Sequence, residues 1–150
     1  SEKEVENIIF KIIKRLKNNG ALLITSSRRS SKKVINKINS IAKEYSIIKE
    51  VYHPSNNTLN NTYLKNLSIS EEIIVTGDSM SMVSEACTTK KPVRVYYNKK
   101  FCSNKHISFC KNLIKEKYAF PFDTLGKKCP EIKVLNTSQK IALCIKKFKK

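Results

Sequence analysis

The sequence predicts an α/β fold built on a parallel sheet, and three observations carry that expectation. Apolar runs of strand length recur along the chain, the clearest being Ile73-Ile74-Val75 and Ala21-Leu22-Leu23-Ile24. Between them lie stretches whose apolar residues repeat at three- and four-residue steps, as one face of a helix requires. The two patterns alternate, and that alternation is what strand–helix crossovers produce when a parallel sheet is covered on both faces. With 150 residues, 40% hydrophobic and 28% charged, the chain has the size and composition of one globular domain, residues 1–150.

Taken in order, Val5, Ile8, Ile9, Ile12, Ile13 and Leu16 mark an amphipathic helix. Ser1 with Glu4 offers a capping box at its start, and Gly20 lies past its end. The run from Ala21 to Thr25 reads as a buried strand, followed by the polar loop Ser26-Ser27-Arg28-Arg29-Ser30-Ser31. Val34, Ile38, Ile41, Ala42 and Tyr45 define a second helix, and residues 47–52 a weaker strand. After His53-Pro54 an Asn-rich segment leads to a short helix near Tyr63, Leu64 and Leu67. Ile73 to Thr76 is the strongest strand, and Gly77-Asp78-Ser79 turns it into a helix running to about Thr89. Pro92 to Tyr97 is the next strand, then a helix around Ile107, Cys110, Leu113 and Ile114. A proline-punctuated loop from Phe120 to Pro130 follows, and Ser138, Ile141, Ala142, Ile145 and Phe148 define a last helix.

The net charge of +18 raises the question of nucleic acid. Arginine, whose planar fork suits bases and phosphates, supplies only Arg15, Arg28, Arg29 and Arg94 of the 30 basic residues. Lysines are spread over every segment beside abundant Ile and Asn, the pattern of AT-rich coding. Nucleic acid is therefore not the expected partner, and an anionic membrane surface ranks above it. No apolar stretch is long enough to span a bilayer and no secretory signal is visible, so the expected location is cytoplasmic, including the inner membrane's periphery. Cys87, Cys102, Cys110, Cys129 and Cys144 show neither CxxC spacing nor a histidine at a metal-ligand interval. They read as apolar filler, His53 and His106 read as structural, and neither metal nor cofactor is expected.

In a parallel sheet, ligands sit at the carboxyl ends of strands, where loops lead into helix starts. Two loops are polar in that position. Ser26 and Ser27 with Arg28 and Arg29 suit an anion such as a diphosphate, while a serine there also serves as a helix cap. In the second, Gly77 permits a tight turn, and the amides after Asp78 with the hydroxyls of Ser79 and Ser81 suit phosphate oxygens. Glu85, two turns on, is placed to accept ribose hydroxyls. Asp78 is compatible with a diphosphate if its carboxylate caps the helix.

The second segment resembles the mitochondrial-fission Elm family. Its pattern Thr-Ala-Asp-Ser-x-Ser-Met-x-Ser-Glu-Ala, then Gly-Lys-Pro-Val, is matched by Thr76, Asp78, Ser79, Ser81, Met82, Ser84, Glu85, Ala86, Lys91, Pro92 and Val93. Thr25, Ser27, Arg28 and Arg29 fit the family's Thr-x-Ser-Arg-Arg-Thr, Asn61 and Tyr63 its Asn-Pro-Tyr element, and Leu135-Asn136-Thr137 its end. Gly77 stands where the family has Ala, Thr62 for Pro, Ser30 for Thr, and Lys90 for Gly, a left-handed helix stop.

The resemblance implies the carboxyl-terminal half of a two-domain, GT-B-type glycosyltransferase-like protein of a bacterium, its Rossmann-like sheet lacking its first strand. It further implies a nucleotide-diphosphate sugar bound by Ser26, Ser27, Arg28, Arg29, Asp78, Ser79, Ser81, Met82 and Glu85. Transfer would be metal-independent, with acceptor and catalytic base supplied by an amino-terminal domain or a separate chain, so the chain alone is not expected to complete catalysis. The rival expectations are a non-enzymatic scaffold at an anionic membrane and an inactive split-gene remnant.

Overall fold

The computed structural model describes residues 2–17, 19–54 and 62–125. Its α/β character and parallel strands are those the alternating pattern predicts, and the strands fall into two sheets. The chain divides into two compact units, Ser1–Asn66 and Leu67–Lys150. Ser1, Asn61 and everything from Gly126 onward, including the last expected helix, lie outside the described residues.

In the first unit, helix α1 (Glu2–Leu16) buries Ile8, Ile9 and Ile12, the predicted stripe. Its end differs from expectation: Lys17, at φ 47°, takes the left-handed position, three residues before Gly20. Strand β1 (Leu22–Thr25) pairs in parallel with β2 (Ile48–Tyr52), with a register shift between Leu22 and Leu23. Helix α2 (Lys32–Glu44) lies between them in the chain. Ile9, Ile38, Ile41, Ile47 and Ile48 form the buried centre, flanked by Val5, Ile13, Leu16, Val34 and Tyr45. Lys37 bridges to Glu6 at 2.7 Å. The Glu6 hydrogen bond raises the Lys37 pKa, although an exposed pair of this kind contributes little to stability. Helix α3 (Thr62–Ile69) begins in this unit, where buried Asn66 donates to Glu50 Oε1 at 3.1 Å.

The second unit holds β3 (Ile73–Thr76), α4 (Met80–Cys87), β4 (Val93–Tyr96), α5 (Asn104–Lys115) and β5 (Phe120–Pro121). All three strands are parallel, in the order β3-β4-β5. Val83, Val93, Phe109, Cys110 and Leu113 are fully buried between sheet and helices. At such depth, truncating Leu113 to Ala costs about 2–5 kcal/mol. The segment read as a loop from Phe120 instead starts with a third strand and a 3-10 turn, Phe122–Thr124. The reason lies in β4: buried Arg94 donates from Nε to Glu72 Oε1 at 2.6 Å and from its guanidinium to Thr124 Oγ1, fastening the segment beside it. Among the described residues, β1 pairs with β2 and β3 with β4, and no strand pairs with the other edge of β1 or of β3.

Candidate functional site

The turn after β3 is built around the one residue that fits it. Gly77 donates to the Tyr96 carbonyl at 2.8 Å, continuing the β3–β4 ladder one residue past the strand. A Cβ on Gly77 would lie 2.6 Å from Cys110 Sγ and 3.0 Å from Tyr97 Cβ, so the backbone passes where a side chain has no room. Cys110 is fully buried beneath it, and burial, with smaller contributions from Cys102 and Asp78, pushes its thiol up to about 12. Burial likewise raises the Cys102 thiol. Both are packing groups at neutral pH, as expected of these cysteines.

Ser79 is the N-cap of α4, its hydroxyl accepting from the Met82 amide at 3.3 Å. Asp78 is therefore not the cap: its half-buried carboxylate stands one residue outside the helix. Val83 donates to the Ser79 carbonyl at 3.1 Å, so the helix is closed from its fourth turn residue onward. The amides of Met80 and Ser81, at its first two positions, have no intrahelical acceptor and face the positive end of the dipole. Ser81 and Glu85 are both exposed and four residues apart, which puts them on one face. Ser84 and Ala86, which belong to the same motif, are buried and serve packing. Of the residues expected here, the fold thus offers two amides, the Ser81 hydroxyl and the Glu85 carboxylate in line, while Ser79 and Met82 hold each other.

Lys91, also part of the motif, has a local task. Its ammonium donates to the Leu67 carbonyl at 2.6 Å and to that of Ser68, closing the last turn of α3. His106 is likewise structural: its Nδ1 lies 2.7 Å from Ser103 Oγ, which caps α5 through the His106 amide.

The loop after β1, in the first unit, is closed on itself. Ser26 is buried, and its amide and hydroxyl both donate to the Tyr52 carbonyl, at 2.9 and 3.3 Å. The Ser27 amide donates to Ser30 Oγ at 3.0 Å, the Ser30 amide to the Ser27 carbonyl at 3.1 Å, and the Arg29 amide to Ser27 Oγ at 3.2 Å. Ser31 caps α2 by accepting from Val34 at 3.2 Å. The serines thus shape the turn, and Arg28 and Arg29 stand exposed on it.

Parallel strands whose turns lead into helices, here with Ser79 capping α4 and Ser81 and Glu85 exposed along it, define the α/β class of proteins. Within that class the chain belongs to the mitochondrial fission ELM1 family, which it matches over residues 1–148. It is also similar to an uncharacterised protein of Rickettsia prowazekii (strain Madrid E), 38% identical over 99 residues. That match covers 64% of this chain and 28% of the Rickettsia protein, so the chain spans under a third of its relative's length. No solved structure matches the chain.

Proposed function

We propose that this chain binds a nucleotide-diphosphate sugar as the donor half of a glycosyltransferase-like protein and does not complete transfer alone. The observation that supports the reading best is the Gly77 turn into the Ser79-capped start of α4, with Ser81 and Glu85 exposed on one face. The Met80 and Ser81 amides and the Ser81 hydroxyl hold phosphate oxygens, aided by the helix dipole. Glu85, one turn along, accepts hydrogen bonds from ribose hydroxyls. In transfer, the same donors stabilise the charge that develops on the departing diphosphate. Arg28 and Arg29 stand exposed on the loop after β1 in the first unit.

A thermal-shift screen of nucleotides and nucleotide sugars tests the reading. A ligand at a hundred times its dissociation constant should stabilise the fold by about 2.7 kcal/mol. Glu85→Gln should leave the melting temperature of the free protein unchanged, because the residue is exposed. It should weaken the best nucleotide about tenfold, the loss of one charge-assisted hydrogen bond. If no nucleotide shifts the transition, or if Glu85→Gln unfolds the protein while sparing affinity, the reading is wrong.

A further inference from the structure

A second turn leaves the same edge of the same sheet. Thr76 and Tyr96 are in register in parallel strands, so the chain after Tyr96 emerges beside the chain after Thr76. That turn is pinned from several sides. Tyr96 stacks on Phe101 with ring centroids 5.6 Å apart and planes 5° apart, and meets Phe122 edge-on at 5.3 Å. The Lys100 amide donates to Asn98 Oδ1 at 2.9 Å, and the Cys102 amide to the Asn98 carbonyl at 3.0 Å. Cys102 is buried, whereas Lys99 and Lys100 are exposed. Meanwhile Asp78, freed from capping by Ser79, leaves a negative charge where a diphosphate would approach.

We infer that the turn between β4 and α5 is the cationic part of the same binding site, with Lys99 and Lys100 neutralising the diphosphate of a nucleoside-diphosphate ligand. The inference rests on the reading above and adds residues that it does not contain. Lysine binds phosphate as a point charge on a flexible stem, so two lysines on a fixed turn can follow either phosphate while only their side chains become ordered. Their contribution grows with ligand charge, which makes the site select diphosphates over monophosphates and makes affinity fall with salt.

The test is calorimetric titration of the full chain with uridine, guanosine and adenosine diphosphates, their monophosphates, and inorganic pyrophosphate. Lys99→Gln/Lys100→Gln should weaken the best diphosphate about tenfold and erase most of its advantage over the monophosphate. Lys99→Arg/Lys100→Arg should retain both, and Glu85→Gln should weaken nucleotides while leaving pyrophosphate alone. Unchanged diphosphate affinity in the glutamine pair, with Glu85→Gln still weakened, overturns the inference and leaves the nucleotide reading standing. Lysine-dependent pyrophosphate binding without any gain from a nucleoside keeps the cationic turn and sinks the nucleotide reading. Failure of the wild-type chain to bind any of these ligands overturns both.

Discussion

At Lys90 and Lys117 the backbone turns left-handed, with φ of 63° and 67°, where a side chain is strained and glycine is not. Lys117 completes a Schellman motif at the end of α5, with Tyr118 donating to Leu113 at 2.9 Å and Lys117 to Ile114 at 3.0 Å. Lys90→Gly and Lys117→Gly should therefore each raise stability by about 0.5–1 kcal/mol in urea unfolding, nearly additively. No gain at either position would show that these turns are not strained. Gly77 is the opposite case. Gly77→Ala should destabilise by about 1–3 kcal/mol, because its Cβ meets Cys110 Sγ at 2.6 Å. Adding Cys110→Ala should recover part of that loss, and an equal loss in both backgrounds would place the clash elsewhere. Lys90 was legible only through a motif with glycine at that place; Lys17 and Lys117 carry no such signal, since lysine is common everywhere in this chain.

Elements with a single dominant period were legible, and those defined by a partner were not. The stripe of α1 and the run of β3 emerge as expected because an apolar pattern reports a buried face. β1 forms where its run predicts, but its four residues are only half-buried and not the buried strand expected. β5 is two residues long, so no period exists to read, and it depends on pairing with β4. The run from Pro92 to Tyr97 reads as a strand but says nothing of where its charge goes; Arg94 is 2% exposed, because the central strand is covered on both faces. Its guanidinium pairs with Glu72, and Glu72→Ala should cost about 3 kcal/mol by taking the carboxylate away from a buried charge. Chemical denaturation measures this directly, and a cost near that of an exposed pair, under about 1 kcal/mol, would contradict it. The candidate site was legible as a segment, Thr76 to Glu85, but its division of labour was not. Capping by Ser79 and not Asp78, and the closing of the serine loop on Tyr52, are matters of backbone angle and strand neighbour.

For the whole molecule, the net charge of +18 is spread along the chain, so its bulk attraction to anions says little about specificity. Placement carries the information: the turns leaving the carboxyl edge of β3 and β4 carry Ser79 and the Lys99-Lys100 pair, and Ser81 and Glu85 lie exposed on the helix that follows the first of them. Among the described residues, no helix is long and apolar enough to cross a membrane. The chain matches its family over residues 1–148 and spans under a third of its Rickettsia relative's length. The most direct measurement is an amide-resolved NMR titration of the chain with the nucleotide sugar that stabilises it most. The account predicts the largest shifts at Met80, Ser81 and Glu85, reached in Glu85→Gln only at about tenfold higher ligand concentration with the fold unchanged. Saturable binding whose shifts leave the start of α4 untouched would contradict it.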